Sequence, residues 1–502
     1  MKKSYLCAMT DFETYILDLC SRKESCDIEF KSAKGGFPQS FWESYSAFGN
    51  TDGGIIVLGV KEKNHQFFPD GLDEKTVAGY KKAFWDLSHN KNKVSVSLLS
   101  ESDVFDGVID GKSIIVFSIP RAPYSSRPVY LTLNPFGGNT YKRNHEGDYQ
   151  CSDEEVRQMF IDAQIETSPY DGHVIDYFSI EDNLSADTVS RYRSMFEERH
   201  PNHPWLKLDN EGFLTKIGAI DIDPSTKKKG ITFAGVMVFG TEQSILHVAP
   251  YYFVDYREKM FPGKRWTDRV WPDGNWDSNL FEFYYRVYPK LAQALPVPFK
   301  LEGDARVDET PAHESLREAL CNTLVHAALY KNESIVIERY PEKIKFTNPG
   351  SMLISVDEYF AGGRSVCRNP KIQRIFALIG RGERAGSGAD TIAYGWNENH
   401  WPKPQIKELV QPDRVELTLL LTSVEKRVET GEETSAKRGA EKTSEKILKV
   451  LKNNKFATAK EVAAQIGISE SGVEKQFARL KKSGKIKREG GDFGGYWEVI
   501  SE

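Results

Sequence analysis

Glu24-Ser-Cys-Asp-Ile-Glu29-Phe-Lys31 is followed by the aromatic stretch Phe41 to Phe48. Then come Asn50-Thr-Asp-Gly-Gly54, the run Ile55-Ile-Val-Leu58, and Gly59-Val60-Lys61-Glu62. Ile55 to Val60 is apolar, β-branched and flanked by glycine, so it reads as a buried strand, with a short helix over Phe41 to Phe48 before it. Glu29 and Lys31, two residues apart, share one face of a strand. Glu24 and Glu29, five apart, diverge on a strand or a helix and converge only if the chain turns between them. Glu24, Glu29 and Glu62 together would offer three hard oxygen ligands to Mg or Mn held against a phosphate. Lys31 would then face the developing charge. The same residues also read as solvated charges beside amphipathic strands.

At 502 residues the chain has room for roughly three or four domains. Its net charge of -5 means that any nucleic-acid surface must be local. The sequence holds no apolar run near the roughly 18 residues of a membrane span, so no membrane partner is expected. The apolar part of Met1 to Asp11 is too short for a secretory signal, and Asp11 and Glu13 interrupt it. Six cysteines without a CxxC pair read as thiols of a cytoplasmic protein. The oligomeric state stays open, a homo-oligomer included.

The pattern divides the chain into residues 1–165, 166–300, 301–423, 424–444 and 445–502. In the first part, Ser113 to Ile119 reads as a second strand after an Asp110-Gly111 turn, and Ser152-Asp-Glu-Glu155 opens a helix. In the second, Ser185 caps a helix to Arg199. Gly230 to Gly240 is buried with an ambiguous period, Tyr251 to Tyr256 is a strand, and Trp266, Trp271 and Trp276 read as core. Residues 301–423 open with a helix over Glu314–Leu329, followed by strands Ser334–Arg339 and Lys343–Thr347. Residues 424–444 are polar and charged, and read as a flexible linker.

Ile28-Glu29-Phe30-Lys31, Ser46 to Gly54 and Leu58-Gly59-Val60 together resemble the Schlafen AlbA_2 domain. Gly111 to Phe117, Pro128-Val-Tyr130 and Tyr141-Lys142-Arg143 continue the likeness. It spans roughly residues 20 to 160 and implies an α+β fold that handles nucleic acid, with Lys142 and Arg143 among its contacts. In the Schlafen proteins that cut transfer and ribosomal RNA, three acids form a metal site. Glu24 and Glu29 match two of them. Glu62 stands where the family has aspartate, and Lys61 replaces another acid.

Glu314 to Ala327 is amphipathic, with Leu316, Ala319, Leu320, Thr323, Leu324 and Ala327 on one face. Glu318, Asn322 and His326 stack on the other, either as a surface stripe or as a nucleotide site. In the second reading glutamate orients water and asparagine holds magnesium. Asn348-Pro-Gly350 and Gly382 to Gly388 allow close backbone approach to phosphates. These residues, with Arg368-Asn369-Pro370, resemble the divergent GHKL-type ATPase domain, an α/β sandwich. The resemblance implies that Glu318, Asn322, His326, Asn348, Gly350, Gly386 and Gly388 contact ATP. The adenine-reading aspartate of that family is absent, and Asn348 stands near its place.

From Lys446 to Arg488 there are twelve Lys or Arg and three Glu. Helix, glycine turn, helix and a glycine-rich hairpin resemble a winged helix-turn-helix. The second helix would enter the DNA major groove and the wing would meet the backbone. Ser471, Lys475, Gln476, Arg479, Lys485, Lys487 and Arg488 are the expected contacts. The expected whole is an α+β multidomain protein acting on RNA, DNA or both. One reading is a metal-dependent endoribonuclease, with transfer RNA as first substrate and a role in antiviral defence, regulated by nucleotide. The other is an ATP-sensing DNA-binding transcriptional regulator.

Overall fold

The computed structural model describes residues 12–296, 301–302, 305–306, 309–362, 365–382, 388–410 and 412–421. It also describes 447–448, 450–451, 454–466, 473–474, 477, 480–481, 486–489 and 496–499. Residues 1–421 form one compact unit and 422–502 a second. The proposed linker at 424–444 lies outside the described residues. Among the described residues no helix is long and apolar enough to cross a membrane.

The first unit begins with α1 (Phe12–Arg22), β1 (Ile28–Lys31), α2 (Phe41–Asn50), β2 (Gly54–Leu58), β3 (Val60–Lys63), β4 (Gln66–Pro69) and α3 (Glu74–Ser88). It continues with β5 (Val104–Ile109), β6 (Lys112–Ile119), β7 (Tyr141–Asn144), β8 (Gly147–Gln150) and α4 (Asp153–Ala163). The main sheet has the order β1-β2-β6-β5. β1 and β2 run parallel, Ile28 opposite Ile55, with α2 as the crossover. β2 is buried at all five positions because both faces are covered. Ile56 and Leu58 pack with Phe41, Phe48 and Phe84, while Ile55 and Val57 pack with Ile16 and Leu19 of α1.

The Gly53-Gly54 pair is required by close packing. A Cβ at Gly53 would lie 2.6 Å from the Ile119 carbonyl oxygen, and one at Gly54 2.4 Å from the Phe48 ring. Asn50 is buried, and its amide donates to the carbonyls of Val129 (2.8 Å) and Tyr141 (2.9 Å). Its side-chain oxygen accepts from the Val129 N–H at 2.8 Å. One side chain thus ties β7 and the segment before it to α2.

Next come β9 (Val174–Ile175), α5 (Ala186–Arg199), β10 (Ile220–Ile222), β11 (Lys229–Thr232), α6 (Phe233–Phe239), β12 (Val254–Glu258), β13 (Asp268–Val270) and α7 (Leu280–Ala292). β14 (Leu301–Glu302) and β15 (Ala305–Arg306) follow as a small ladder. Then come α8 (Pro311–Val325), β16 (Ile335–Arg339), β17 (Lys343–Pro349), α9 (Val356–Ala361), α10 (Pro370–Leu378), α11 (Gly388–Asn397), β18 (Gln405–Leu409) and β19 (Arg414–Leu420). Ser185 caps α5 as its sequence predicts. The ambiguous Gly230–Gly240 stretch splits into the end of β11 and the fully buried α6.

A boundary near residue 300 does not describe the fold. The second sheet has the order β13-β12-β16-β17-β19-β18. β12 from the middle region pairs in parallel with β16, Val254 opposite Ile335. A single hydrophobic core then runs from Ile175 to Leu419. A parallel partner 81 residues away leaves no hairpin signal in the sequence.

The AlbA_2-like part is joined to this second sheet through buried charges. Lys142 Nζ reaches both Asp413 oxygens, at 2.6 and 2.5 Å, and both side chains are buried. Arg368 binds Asp162 of α4 in two contacts, at 3.1 and 2.9 Å. Arg121 bridges Asp52 (2.6 Å), Glu408 (2.8 Å) and the Met352 carbonyl (2.7 Å). Burial alone would raise the Asp413 carboxyl, but Lys142 and Lys331 more than offset it and hold it below the usual carboxylate range.

Removing one partner of such a pair strands a buried charge, so Lys142→Ala or Asp413→Ala is expected to cost about 3–5 kcal/mol in urea unfolding of the full chain. Lys142→Met with Asp413→Leu should recover only part of that loss, because Asp413 also pairs with the buried Lys331 at 3.8 Å. The depressed Asp413 carboxyl stabilises the fold fully above about pH 4 and loses that contribution as pH falls through its folded value. Asp413→Asn should therefore flatten the acid limb of a melting-temperature profile.

Candidate functional site

The chain does turn between Glu24 and Glu29, the condition for the two acids to converge. Ser25 and Ile28 bond each other's backbone at 3.3 and 3.5 Å, which folds Glu24 back until its carboxylate accepts from the Phe30 N–H at 3.0 Å. Burial pushes the Glu24 carboxyl up, against the Phe30 N–H, and the nearby Glu29 charge pushes the same way. Glu29 is held by two cations, Lys31 at 2.8 Å and Arg143 at 3.0 Å.

Arg143 is the hub of this cluster. It also reaches Asp148 at 2.9 Å and the carbonyls of Ser25 (2.9 Å) and Ile28 (3.1 Å), and it lies 5.1 Å from the Phe48 ring centre. Glu62 does not join the cluster. It stands on the β3–β4 hairpin, half exposed, 3.4 Å from His65. Among the described residues no three His, Cys, Asp or Glu side chains converge as a metal site. The three-acid arrangement expected from the sequence is therefore not present. Glu24 and Glu29 do come near each other, and Lys31 and Arg143 both pair with Glu29.

Lys142 and Arg143 are corrected as well. Both are about 4 % exposed, so neither offers its charge to a nucleic acid. They are neighbours on β7 and so point to opposite faces, one to Asp413 and the other to Glu29. Their local pattern looks like an exposed basic strand. Acids 271 and 114 residues away along the chain bury it.

The second site is a cavity under α8, with about 970 Å³ clear of protein atoms including its solvent-open mouth. Glu318, Asn322, His326, Asn348 and Gly388 all line it. Gly395 lets α8 and α11 cross closely, since a Cβ there would lie 2.2 Å from the Pro311 carbonyl oxygen. That crossing brings the start of α11 over α8, where a Cβ on Gly388 would lie 2.5 Å from Glu318 Oε1. Asn322 donates to the same oxygen at 3.1 Å. The predicted stripe is thus internal, with Glu318 buried.

α8 ends at Val325, and His326 is its C-cap rather than a third rung. Burial, with the Arg368 cation adding to it, pushes the His326 imidazole down to about 4, so it is neutral above about pH 5. Gly350 does not line the cavity. Its φ of +102° and a would-be Cβ contact of 2.7 Å with Arg368 show that it makes room for that guanidinium. Gly386 lies outside the described residues.

The remaining wall is mixed: Leu353, Ile354, Ile406, Val415 and Leu417 stand beside Tyr359, with Thr323, Ser351, Ser365 and Gln373 among the polar residues. The cavity thus offers a carboxylate–amide pair beside the backbone of Gly388 and a group of apolar side chains. Arg368, which sequence reasoning raised only through its family motif, lines the cavity and is saturated by Asp162, the His326 carbonyl (2.8 Å) and the Ser351 carbonyl (2.9 Å).

In the second unit, Thr458 caps α12 (Ala459–Ile466) by accepting from the Glu461 N–H at 3.3 Å. β20 (Ile486–Glu489) and β21 (Tyr496–Val499) form the predicted hairpin, Arg488 opposite Trp497. Val473, Phe477 and Leu480 are buried with Val462 and Ile486, as their spacing predicts. Lys487 and Arg488 are exposed on the hairpin. Ser471, Lys475, Gln476, Arg479 and Lys485 lie outside the described residues.

Family models match four stretches of the chain. Schlafen AlbA_2 matches residues 24–152, a domain of unknown function (DUF8451) matches 157–255, and winged helix-turn-helix DNA-binding matches 441–487. The family described as "Putative ATP-dependent DNA helicase recG C-terminal" matches residues 332–419. Among curated proteins nothing matches.

Two solved structures are similar. The DIP2311 protein of Corynebacterium diphtheriae has 17% identity and a TM-score of 0.40, over 94% of this chain and 92% of that one. The N-terminal domain of a RecG-related protein of Nitrosomonas europaea has 24% identity and a TM-score of 0.19, over 28% of this chain and 88% of that one. The chain is a nucleic-acid-related protein that joins a Schlafen AlbA_2 domain, a recG C-terminal ATPase-like domain and a winged helix-turn-helix.

Proposed function

We propose that the protein is a nucleotide-responsive DNA-binding regulator. Its C-terminal winged helix reads duplex DNA, and a nucleotide such as ATP with Mg²⁺ occupies the cavity under α8. The observation that carries this reading is the double duty of Arg368, which lines the cavity and binds Asp162 of α4, the helix that follows the AlbA_2 match. Leu353 and Val366 share that duty, since both line the cavity and pack in one cluster with Tyr124 and Ile165. A ligand that shifts this wall acts directly on the contact between the two domains.

When bound, the magnesium–nucleotide would supply a triphosphate charge and a hard cation. Glu318 and Asn322 are the residues of this chain that would hold the metal end. Gly388 would admit the phosphates at the start of α11, where backbone N–H groups point outward. Tyr359 and the apolar side chains would take the base, and Asn348 offers an amide near it. Neutral His326 contributes no charge to the phosphates.

Support for a regulator over a metal-dependent ribonuclease comes from the acids. Glu29 is neutralised by Lys31 and Arg143, and Glu62 stands apart on its hairpin.

Calorimetry of the full chain with Mg-ATP is expected to show one site per chain. Asn322→Ala should weaken it at least about ten-fold, about 1.4 kcal/mol. Undetectable binding by the wild-type chain rejects the nucleotide site. Duplex DNA should bind with strong salt dependence and lose that binding on deletion of residues 422–502. If the truncated protein still binds the same duplex, the winged helix is not the reader. Incubation with transfer RNA and Mn²⁺ should leave the RNA intact. Cleavage that Glu29→Gln abolishes would restore the nuclease reading.

A further inference from the structure

Trp276 packs against the main core, but the aromatic residues at 261–271 do not. Phe261 is 61 % exposed and Trp271 39 %, and Trp266 is partly exposed on the loop between β12 and β13. This loop belongs to the edge hairpin of the six-stranded sheet. Pro262 and Gly263, the latter at φ +84°, turn the chain so that the Lys264 N–H bonds the Phe261 carbonyl at 3.3 Å. The Thr267 N–H then returns to the Glu258 carbonyl at 2.6 Å.

Cations interleave with the rings. Arg265 lies 4.6 Å from the Trp266 centre, Arg269 lies 4.8 Å from Trp266 and 5.0 Å from Trp271, and Lys264 lies 5.7 Å from Phe261. The arrangement is built from below. Asp255, with no exposed surface, grips Arg269 at 2.8 and 2.9 Å, which fixes the guanidinium between the two indoles. The same carboxylate also holds Arg257, at 2.6 Å, so it carries two cations.

Among the described residues neither Lys264 nor Arg265 has a carboxylate within ion-pair distance. From Arg257 to Trp271 there are five Lys or Arg against two acids, in a chain whose net charge is -5.

We propose that this hairpin is a stacking platform for single-stranded DNA. Exposed indoles give bases a π-face without reading their sequence, and unpaired cations beside the rings meet the phosphates. The strongest alternative occupant, an acidic protein segment, has no use for two indoles spaced by a fixed guanidinium. Bases in a duplex keep their faces stacked and cannot use the rings. The occupant is taken as DNA because the winged helix-turn-helix family that the same chain matches is described as DNA-binding.

Fluorescence anisotropy of labelled dT16 with the full chain tests the platform. Trp266→Ala with Trp271→Ala should weaken dT16 on the order of ten-fold for each ring, and leave duplex binding unchanged. Lys264→Glu with Arg265→Glu alters only exposed charges and guards against a folding artefact. It should lower the salt slope for dT16 by roughly 1.4. Unchanged dT16 affinity in both double variants overturns the proposal. So does rU16 bound ten-fold more tightly than dT16, or equal displacement of dT16 by polyglutamate. Duplex binding in the same preparations reports separately on the winged helix, so loss of that reading would leave this result standing.

Discussion

Strand β7 carries two adjacent buried cations that face opposite ways, and the first unit is organised around that constraint. Lys142 reaches across to Asp413, and Arg143 reaches back to Glu29 and Asp148. Alternation along a strand makes this geometry unavoidable once both residues are buried. Each cation must meet a carboxylate on its own side, because an unpaired charge in that position would cost several kcal/mol. β7 itself is fixed to the AlbA_2 core by Asn50. A displacement of the second sheet at Asp413 therefore reaches the Glu29 cluster through one strand.

That coupling changes the meaning of the acid cluster. Acids beside a phosphate-handling fold read as metal ligands when only their spacing is known. In the folded chain Glu29 already compensates Arg143, which also satisfies two backbone carbonyls in the turn before β1. The carboxylate is part of what holds the turn closed. Glu24, pushed toward its neutral form by burial, spends its oxygen on the Phe30 N–H. The cluster is close to charge balance, and such balance suits a structural role behind β7.

Much of the local structure was legible in the sequence because its causes are local. The helix α2, the buried strand after Gly53-Gly54, the Ser152 and Ser185 caps and the apolar face of α8 all follow from periodicity or from residue types within a few positions. Glu318 and Asn322 were legible as a pair for the same reason, although only the tertiary crossing of α11 shows that their face is internal. What was not legible depends on partners far along the chain. Nothing near Lys142 announces Asp413, and nothing near Val254 announces Ile335. The tryptophans at 266 and 271 misled in the other direction, since aromatic density normally signals core and here the backbone places it on a sheet edge.

The polar character of the junction bears on whether it moves. Apolar contacts of comparable extent would hold the AlbA_2 domain more firmly, since well-packed hydrophobic replacements of buried ion pairs are often neutral or stabilising. Instead the contact is built from Lys142–Asp413 and the Arg121 bridge, with Arg368–Asp162 on the helix that follows the AlbA_2 match and a small cluster around Tyr124 and Leu353. Such contacts are geometrically exacting. A small displacement of a cavity wall residue breaks a bidentate pair outright, whereas an apolar face would slide. With Arg368 shared between cavity and junction, ligand occupancy and domain docking draw on the same guanidinium. A ligand whose affinity differs between the docked and loosened arrangements would shift one toward the other by that difference in binding free energy.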